Sequence, residues 1–138
     1  MGKFLAAITH KGEPMTIQGL ITKVQEEKPN TFTNNKILSF INEIETEVAE
    51  QLIEDDFMPY TGITDADGNN IVLLAPAPYD RLYVSYVKAM IDFANEEYAS
   101  YQLNAEQHSQ DFRDFVNWVV REHVAVESLV PSRFRNIW

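Results

Sequence analysis

The sequence contains no cysteine among its 138 residues. Disulfide bonds and metal sites with thiolate ligands are therefore excluded, and the composition is compatible with a reducing compartment. No apolar run approaches the ~20 residues that a membrane-spanning helix needs. The apolar run in the opening MGKFLAAITHKGEP is too short for the core of a signal peptide. We therefore expect the protein to be made in the cytoplasm, and to be used there or in a structure assembled there.

Positive charge is scarce as well, because 11 Lys and Arg face 21 Asp and Glu and give a net charge of −10. Phosphate backbones repel such a chain, so general nucleic-acid binding is disfavoured. The acids are concentrated in residues 43 to 56, which contain no Lys or Arg. The final stretch, LVPSRFRNIW, reverses this polarity with Arg133, Arg135 and no acid.

The motifs of common catalytic and cofactor sites are missing. The five glycines form no phosphate-binding loop, and none of the three histidines lies in a Glu-x-x-His or His-Glu-x-x-His motif. The turn DADGNN resembles a calcium loop, but Gly68 is fourth from Asp65 and Pro76 stands where that loop needs a glutamate. We therefore expect no cofactor, no metal site and no catalytic residue.

Apolar residues at steps of three and four predict four helices. The first spans about 16 to 27, with Thr16 as its N-cap and Pro29 after its end. The second spans about 34 to 55 and has Thr33 as its N-cap. Most of its acids fall on the face opposite the apolar stripe, which is typical of a solvated helix surface.

The third predicted helix begins at Tyr79 or Asp80 and ends near residue 102. Its apolar arc is wide, so we expect several neighbours to contact it. The fourth follows Asn104 as N-cap, with Gln107 at the capping-box position, and ends before Pro131.

Residues 57 to 75 interrupt the helical pattern. FMPYTGIT and NNIVLLA flank the turn cluster DADGN, which predicts a short β-hairpin. The prolines of APAP then favour an extended approach to the third helix. The predicted fold is a mainly α, four-helix domain with a β-hairpin inserted between helices 2 and 3. It comprises an N-terminal arm (1–14), the helical domain (15–128) and a C-terminal tail (129–138).

Glu97 is the acid that most resembles a functional residue, because a helical wheel places it inside the apolar arc with Tyr101 one turn further on. A buried carboxylate needs a partner or a shifted pKa. We favour a structural polar clip, in which Glu97 accepts a hydrogen bond from a tyrosine or an arginine. The alternative is a general base of a small enzyme, in a pocket with Tyr83, Tyr86 or Tyr101.

Aromatic and cationic residues outside the apolar stripes are candidates for binding a neighbouring protein. Trp118 points away from the stripe of its helix, and the tail ends in an aromatic, basic cluster. The candidate interface residues are Trp118, Arg133, Phe134, Arg135, Ile137 and Trp138. The alternative is a small satellite core formed by the tail folding back.

Five blocks of the sequence occur in an order typical of one protein family. They are MTIQGLI (15–21), KPNTF (28–32), FINEIE (40–45), PAPYDRLY (76–83) and IDFANEEYASY (91–101). On these blocks the chain resembles the helical head–tail connector proteins of tailed bacteriophages, also called adaptor or head-completion proteins. The resemblance covers about residues 15 to 124. One departure is Glu96, where the family pattern has glycine.

The resemblance implies a virion structural protein and not an enzyme. Such proteins form a ring, typically of twelve copies, between the portal protein and the tail. The implied partners are the portal protein, tail-side connector, stopper or tail proteins, and copies of the chain itself, with DNA passing through unbound. The implied location is the head–tail interface of the virion, after assembly in the host cytoplasm.

The acidic helix suggests a hypothesis about the channel. If Glu43, Glu47 and Glu50 line the bore of the ring, DNA meets repulsion and not counterion-releasing contacts. The rival function from another class remains the small cytosolic helical enzyme centred on Glu97.

Overall fold

The computed structural model describes residues 15–53, 57–60 and 71–127, and this part of the chain is mainly helical, as predicted. Its four helices are α1 (Ile17–Glu27), α2 (Asn34–Gln51), α3 (Arg81–Ala94) and α4 (Tyr98–Glu127). The arm, residues 61–70 and the tail lie outside the described residues. None of the helices in the described part is long and apolar enough to span a membrane.

The first two helices begin where the sequence predicts. The Thr16 hydroxyl accepts a hydrogen bond from the Gly19 amide (3.0 Å), and the Thr33 hydroxyl accepts one from the Lys36 amide (3.1 Å). Each cap satisfies one of the amides that a helix start leaves without a partner. α1 ends at Glu27, before Pro29, as predicted. α2 ends at Gln51, earlier than the predicted residue 55.

The predicted β-hairpin is not supported by the described residues. Residues 57–60 and 71–75 contain no strand, and 61–70 lie outside the described part. Val72 instead forms an isolated antiparallel bridge with Thr16. The Leu73 amide donates to the Met15 carbonyl (2.9 Å), and the Ile17 amide donates to the Ile71 carbonyl (3.0 Å). Residues 71–73, which are part of the predicted hairpin, therefore pair with residues 15–17 at the start of α1.

A turn, and not an extended segment, leads into α3. The Tyr79 amide donates to the Pro76 carbonyl at 2.8 Å, and the peptide bond between Ala77 and Pro78 is cis. The turn delivers the chain to Arg81, where α3 begins.

α3 is the central helix, and α1, α2 and α4 all pack against it. Its apolar arc contributes four fully buried side chains, Leu82, Tyr83, Val87 and Ile91. The other buried apolar side chains come from α1, α2, α4 and the 73–75 segment. They include Ile17, Leu20, Ile41, Ile44, Val48, Leu73 and Phe115. The wide arc of this helix in the sequence is explained by its three helical neighbours.

The boundary between the third and fourth helices lies at residues 95–97, so the last residues of the third predicted helix belong to α4. α3 ends at Ala94, and Glu96 adopts a left-handed backbone with φ of 60°. The Glu97 amide donates to the Asp92 carbonyl (2.8 Å), and the Glu96 amide donates to the Phe93 carbonyl (3.1 Å). These bonds form a Schellman motif, which caps the last carbonyls of a helix. The predicted end near residue 102 is therefore wrong, and α4 begins at Tyr98, before the predicted cap Asn104.

Glu96 occupies a backbone conformation that glycine adopts at lower cost, because a Cβ crowds the left-handed region. We expect Glu96→Gly to raise the free energy of unfolding by about 1 kcal/mol. Thermal or chemical denaturation would measure the change. Glu96→Ala removes the same charge but keeps the Cβ, so it is the matched control. Equal stabilisation by both variants would contradict the backbone explanation.

Candidate functional site

The buried carboxylate of this fold is Glu45, on α2, which has no exposed surface. One oxygen accepts a hydrogen bond from the Tyr83 hydroxyl at 2.5 Å. The other accepts from the Tyr60 hydroxyl (2.7 Å) and the Leu74 amide (3.0 Å). The Tyr83 hydroxyl in turn accepts from the Ala75 amide at 2.8 Å. Glu45 therefore joins α2 to α3 and to both sides of the segment that links them.

Asn42, one turn before Glu45, holds the same segment by its backbone. Its side-chain amide donates to the Tyr60 carbonyl (2.9 Å), and its side-chain oxygen accepts from the Tyr60 amide (2.8 Å). Each such bond contributes a net ~1 kcal/mol, and a buried donor without an acceptor costs ~1–3 kcal/mol. Both chain ends that flank residues 61–70 are thus attached to one face of α2.

Burial is the largest influence on Glu45 and raises the pKa of its carboxyl, although the bonds from Tyr83, Tyr60 and Leu74 oppose it. Burial and the neighbouring Glu45 raise the pKa of the Tyr83 and Tyr60 hydroxyls as well. All three groups therefore favour their neutral forms more than they do in water. The Glu45 carboxylate has no contact with solvent in this structure.

A second carboxylate, Asp92 on α3, is also buried but has a cation as partner. Lys28 pairs with one oxygen. The other accepts from the Ser100 hydroxyl (2.8 Å) and the Asn104 side-chain amide (2.6 Å). Burial works to raise the pKa of Asp92, but Lys28, Asn104 and Ser100 together outweigh it and hold the pKa below its usual value. Asn104, predicted as an N-cap, is thus an interior residue of α4 that joins it to α3.

The predicted burial of Glu97 is wrong. Its side chain is 51% exposed, and its carboxylate lies 3.3 Å from the Lys28 ammonium, not in a clip with Tyr101. Tyr101 packs its ring on Phe93, with centroids 5.3 Å apart. The helical wheel failed because it assumed one continuous helix, whereas the turn at Asn95 and Glu96 rotates Glu97 out of the α3 arc.

Trp118 is a core residue. It is 6% exposed and stacks on the Tyr79 ring, with centroids 5.3 Å apart, so it offers no surface to a neighbouring protein. The expectation that it forms an exposed interface is therefore wrong. Its ring also lies 5.9 Å from that of Phe115, one turn earlier on α4, so the buried side of this helix is wider than the apolar stripe indicates. The remaining candidate interface residues, Arg133, Phe134, Arg135, Ile137 and Trp138, lie outside the described part of the chain.

The acidic face of α2 is exposed, as its spacing predicts. Glu43, Glu47 and Glu50 are all exposed, and Glu43 accepts a hydrogen bond from the Tyr86 hydroxyl at 2.9 Å. Partial burial, followed by the charges of Glu50 and Glu43, raises the pKa of Glu47. The three carboxylates therefore act on one another and form a continuous negative surface.

A third polar contact joins α3 to α4. The Ser85 hydroxyl donates to the buried Asp111 carboxylate at 2.9 Å, and Gln107 donates to its other oxygen at 2.9 Å. The Arg81 guanidinium reaches the same side chain at 3.6 Å. Gln107, expected in a capping box, is thus part of an interhelical contact.

A surface depression of about 560 Å³ lies beside α1 and the loop after it, and neither Glu97 nor a tyrosine lines it. Among the described residues, no group of three or more His, Asp and Glu side chains could hold a metal ion. His108 is partly buried, its Nδ1 lies 3.0 Å from the Leu82 carbonyl, and burial lowers its pKa.

The sequence contained a signal for Glu45 that the predictions missed. It lies four residues after Ile41 and three before Val48, which places it on the apolar side of α2. Its acidic neighbours obscured this position.

Comparison with protein-family models, with curated proteins and with solved structures gives no match to the chain.

Two of the buried carboxylates, Glu45 and Asp92, should affect stability with opposite dependence on pH. The folded-state pKa of Glu45 is raised above 4.5, so the folded state binds an extra proton and loses stability as pH rises through that pKa. Glu45→Gln lacks this titration, but its amide NH2 replaces one of the two acceptor oxygens, so at least one of the donors Tyr83, Tyr60 and Leu74 loses its acceptor. We expect it to cost ~1–3 kcal/mol near pH 4, and less as pH rises.

Asp92→Asn is the contrasting variant. The folded-state pKa of Asp92 is below 3.8, so its contribution is present above that value and is lost as pH falls through the folded pKa. We expect a cost of ~1–3 kcal/mol at neutral pH that shrinks under acid. Urea unfolding of the two variants and the wild type between pH 3 and 8 measures both trends. Parallel curves for all three proteins would contradict the assignment.

Proposed function

We propose that the protein is a structural head–tail connector of a tailed bacteriophage, which forms a ring beneath the portal, extends the DNA channel and docks the tail. The observation that carries the proposal is that the five sequence blocks shared with that family contact one another in this fold. Lys28 of one block pairs with Asp92 of another, and Glu45 of a third accepts from Tyr83 of a fourth. Ile17 and Leu20 of the first block are buried in the same core as Ile41 of the third block and Leu82 of the fourth.

These contacts support the proposal because the shared residues hold the helices together. A resemblance confined to surface residues could arise in unrelated folds, since charged and polar positions are under few packing constraints. Here the shared residues include the fully buried carboxylate of Glu45 and one of its three donors, Tyr83. A common set of interior contacts is what a common fold requires, and the ring and its partners come from the resemblance.

The acidic surface of α2 suits the wall of a DNA channel. Glu43, Glu47 and Glu50 are exposed on one side of the helix, and the whole chain has a net charge of −10. Repetition around a ring multiplies this charge, which repels phosphate and prevents DNA from adhering. The tail, with the opposite charge, is then available to bind the portal, the next ring or a neighbouring copy.

The alternative enzyme function depended on Glu97 as a buried general base. A general base in an apolar pocket is activated by burial and by like charges. Glu97 is exposed and paired with a lysine, Glu45 beside Tyr60 and Tyr83 has no exposed surface, and Glu43 beside Tyr86 lies on the open side of α2 and not in a pocket. We therefore do not propose the enzyme.

The ring is tested by mixing the purified protein with the purified portal assembly of the same phage. We expect negative-stain images to show one added ring on the portal, and light scattering to show the corresponding increase in mass. Removal of residues 129–138 should leave a folded protein that no longer joins the portal, with circular dichroism as the folding control. A persistent monomer in the presence of portal would contradict the connector function.

The channel wall is tested separately, with the triple variant Glu43→Lys, Glu47→Lys and Glu50→Lys built into particles. We expect DNA ejection to be slower than in wild-type particles and the difference to shrink as salt rises, because screening weakens attraction between lysine and phosphate. The matched control reverses Glu26, Glu106 and Glu122, which are acids on α1 and α4. Unchanged ejection from fully assembled triple-variant particles would remove these acids from the bore.

A further inference from the structure

We propose that the aromatic surface at the α3–α4 turn binds the C-terminal tail, residues 129–138, of a second copy of this chain. This surface, called the aromatic corner below, consists of Phe93, Tyr98 and Tyr101 with Glu96 and Glu97 beside them. The inference names the contact between copies that a ring requires, and in this respect it rests on the proposed function.

The corner is a cluster of contacting rings that the rest of the described chain leaves open. Phe93 is 52% exposed and Tyr98 is 57% exposed. The Phe93 ring lies 6.1 Å from that of Tyr98 and 5.3 Å from that of Tyr101, in edge-to-face geometry. Exposed tyrosine and phenylalanine in contact are typical of binding surfaces, because large rigid rings bury much area at little entropic cost.

The charges of the corner and the tail are complementary. Glu96 and Glu97 are both exposed and adjoin the rings, and only Glu97 has Lys28 at 3.3 Å. The tail, LVPSRFRNIW, contains Arg133 and Arg135 and no acid. Arginine both stacks on aromatic rings and binds carboxylates through two parallel hydrogen bonds, so it suits a surface that combines the two.

The tail also contains apolar groups that match the rings. Phe134, Ile137 and Trp138 alternate with or follow the two arginines. Arginine and tryptophan are among the residues that contribute most to binding at protein interfaces. In a chain of net charge −10, this is a segment that a negative, aromatic surface of the same protein would attract.

The length of α4 prevents the tail arginines from reaching the corner of their own copy. From Tyr101 to Glu127 the helix advances 26 residues, which is about 39 Å. Arg135 follows Glu127 by eight residues and extends at most about 28 Å back. The arginines therefore do not reach the corner of their own chain, whereas a neighbouring chain has no such limit.

The proposed contact joins two different surfaces, the aromatic corner of one copy and the C-terminal tail of another. Repetition of such a contact generates a closed ring or an open filament. The corner also explains why a glutamate occupies the left-handed position at residue 96, because its carboxylate then has a role that glycine lacks.

The test uses the absence of native cysteine. One full-length variant has Asn136→Cys in the tail, and another has Ala99→Cys, an exposed residue of α4 next to Tyr98. When the two are mixed under mild oxidation, we expect a mixed disulfide dimer to form faster than with the control Thr22→Cys, an exposed residue of α1. Non-reducing gels and mass spectrometry measure the rates. Equal rates with the corner and the control would overturn the proposal.

Charge reversal identifies the ion pair. Arg135→Glu in the tail copy, or Glu96→Arg in the corner copy, should slow formation of the mixed dimer about tenfold, and the two together should restore it. Failure of the double reversal to restore the rate would overturn the pairing of Glu96 with the tail.

Glu96→Gly separates binding from folding, because it should stabilise the fold and yet slow formation of the mixed dimer. An unchanged rate in this variant would overturn the role of the carboxylate. Portal binding is measured independently of these experiments. A chain that joins the portal but shows no preference for the corner would overturn this contact and leave the connector function standing.

Discussion

The carboxylate of Glu45 is the interaction on which the rest of the fold depends. It lies in the middle of α2, has no exposed surface, and accepts from two tyrosine hydroxyls and one backbone amide. Those donors belong to α3 and to the chain on both sides of residues 61–70. A long connection between two helices costs conformational entropy, and a single acceptor on α2 fixes both of its ends. The position of α3, and with it that of α4, follows from this attachment.

The buried carboxylates of Glu45 and Asp92 are stabilised in different ways. A buried charge must be paired or neutralised, because water no longer stabilises it. Asp92 is paired with Lys28, and its pKa falls despite burial. Glu45 has neutral donors alone, and its pKa rises. The Asp92 site joins α3 to α4 and to Lys28, just after α1, while the Glu45 site joins α3 to α2. Both polar sites therefore involve α3, the central helix of the apolar core.

The described surface has separate acidic and aromatic regions. Exposed acids lie along α2, exposed aromatic rings lie at the α3–α4 turn, and the sequence after α4 is basic. Surfaces of opposite charge on one chain suit the proposed contact between copies. The proposed ring comes from the family resemblance, while the interior contacts maintain the orientation of the helices that carry these surfaces.

The sequence by itself determined the helical class, the caps at Thr16 and Thr33, and the apolar stripes of α1 and α2, because these depend on residues within one or two turns of each other. Tertiary structure decided the rest. The left-handed turn at Glu96 divides one predicted helix into two, and this change of direction exposes Glu97 and makes Asn104 an interior residue. The burial of Glu45 and Trp118 likewise depended on partners at Tyr60, Tyr79 and Tyr83, which are distant in sequence. Local periodicity shows which side of a helix is apolar, but only the packed neighbours determine which polar groups that side encloses.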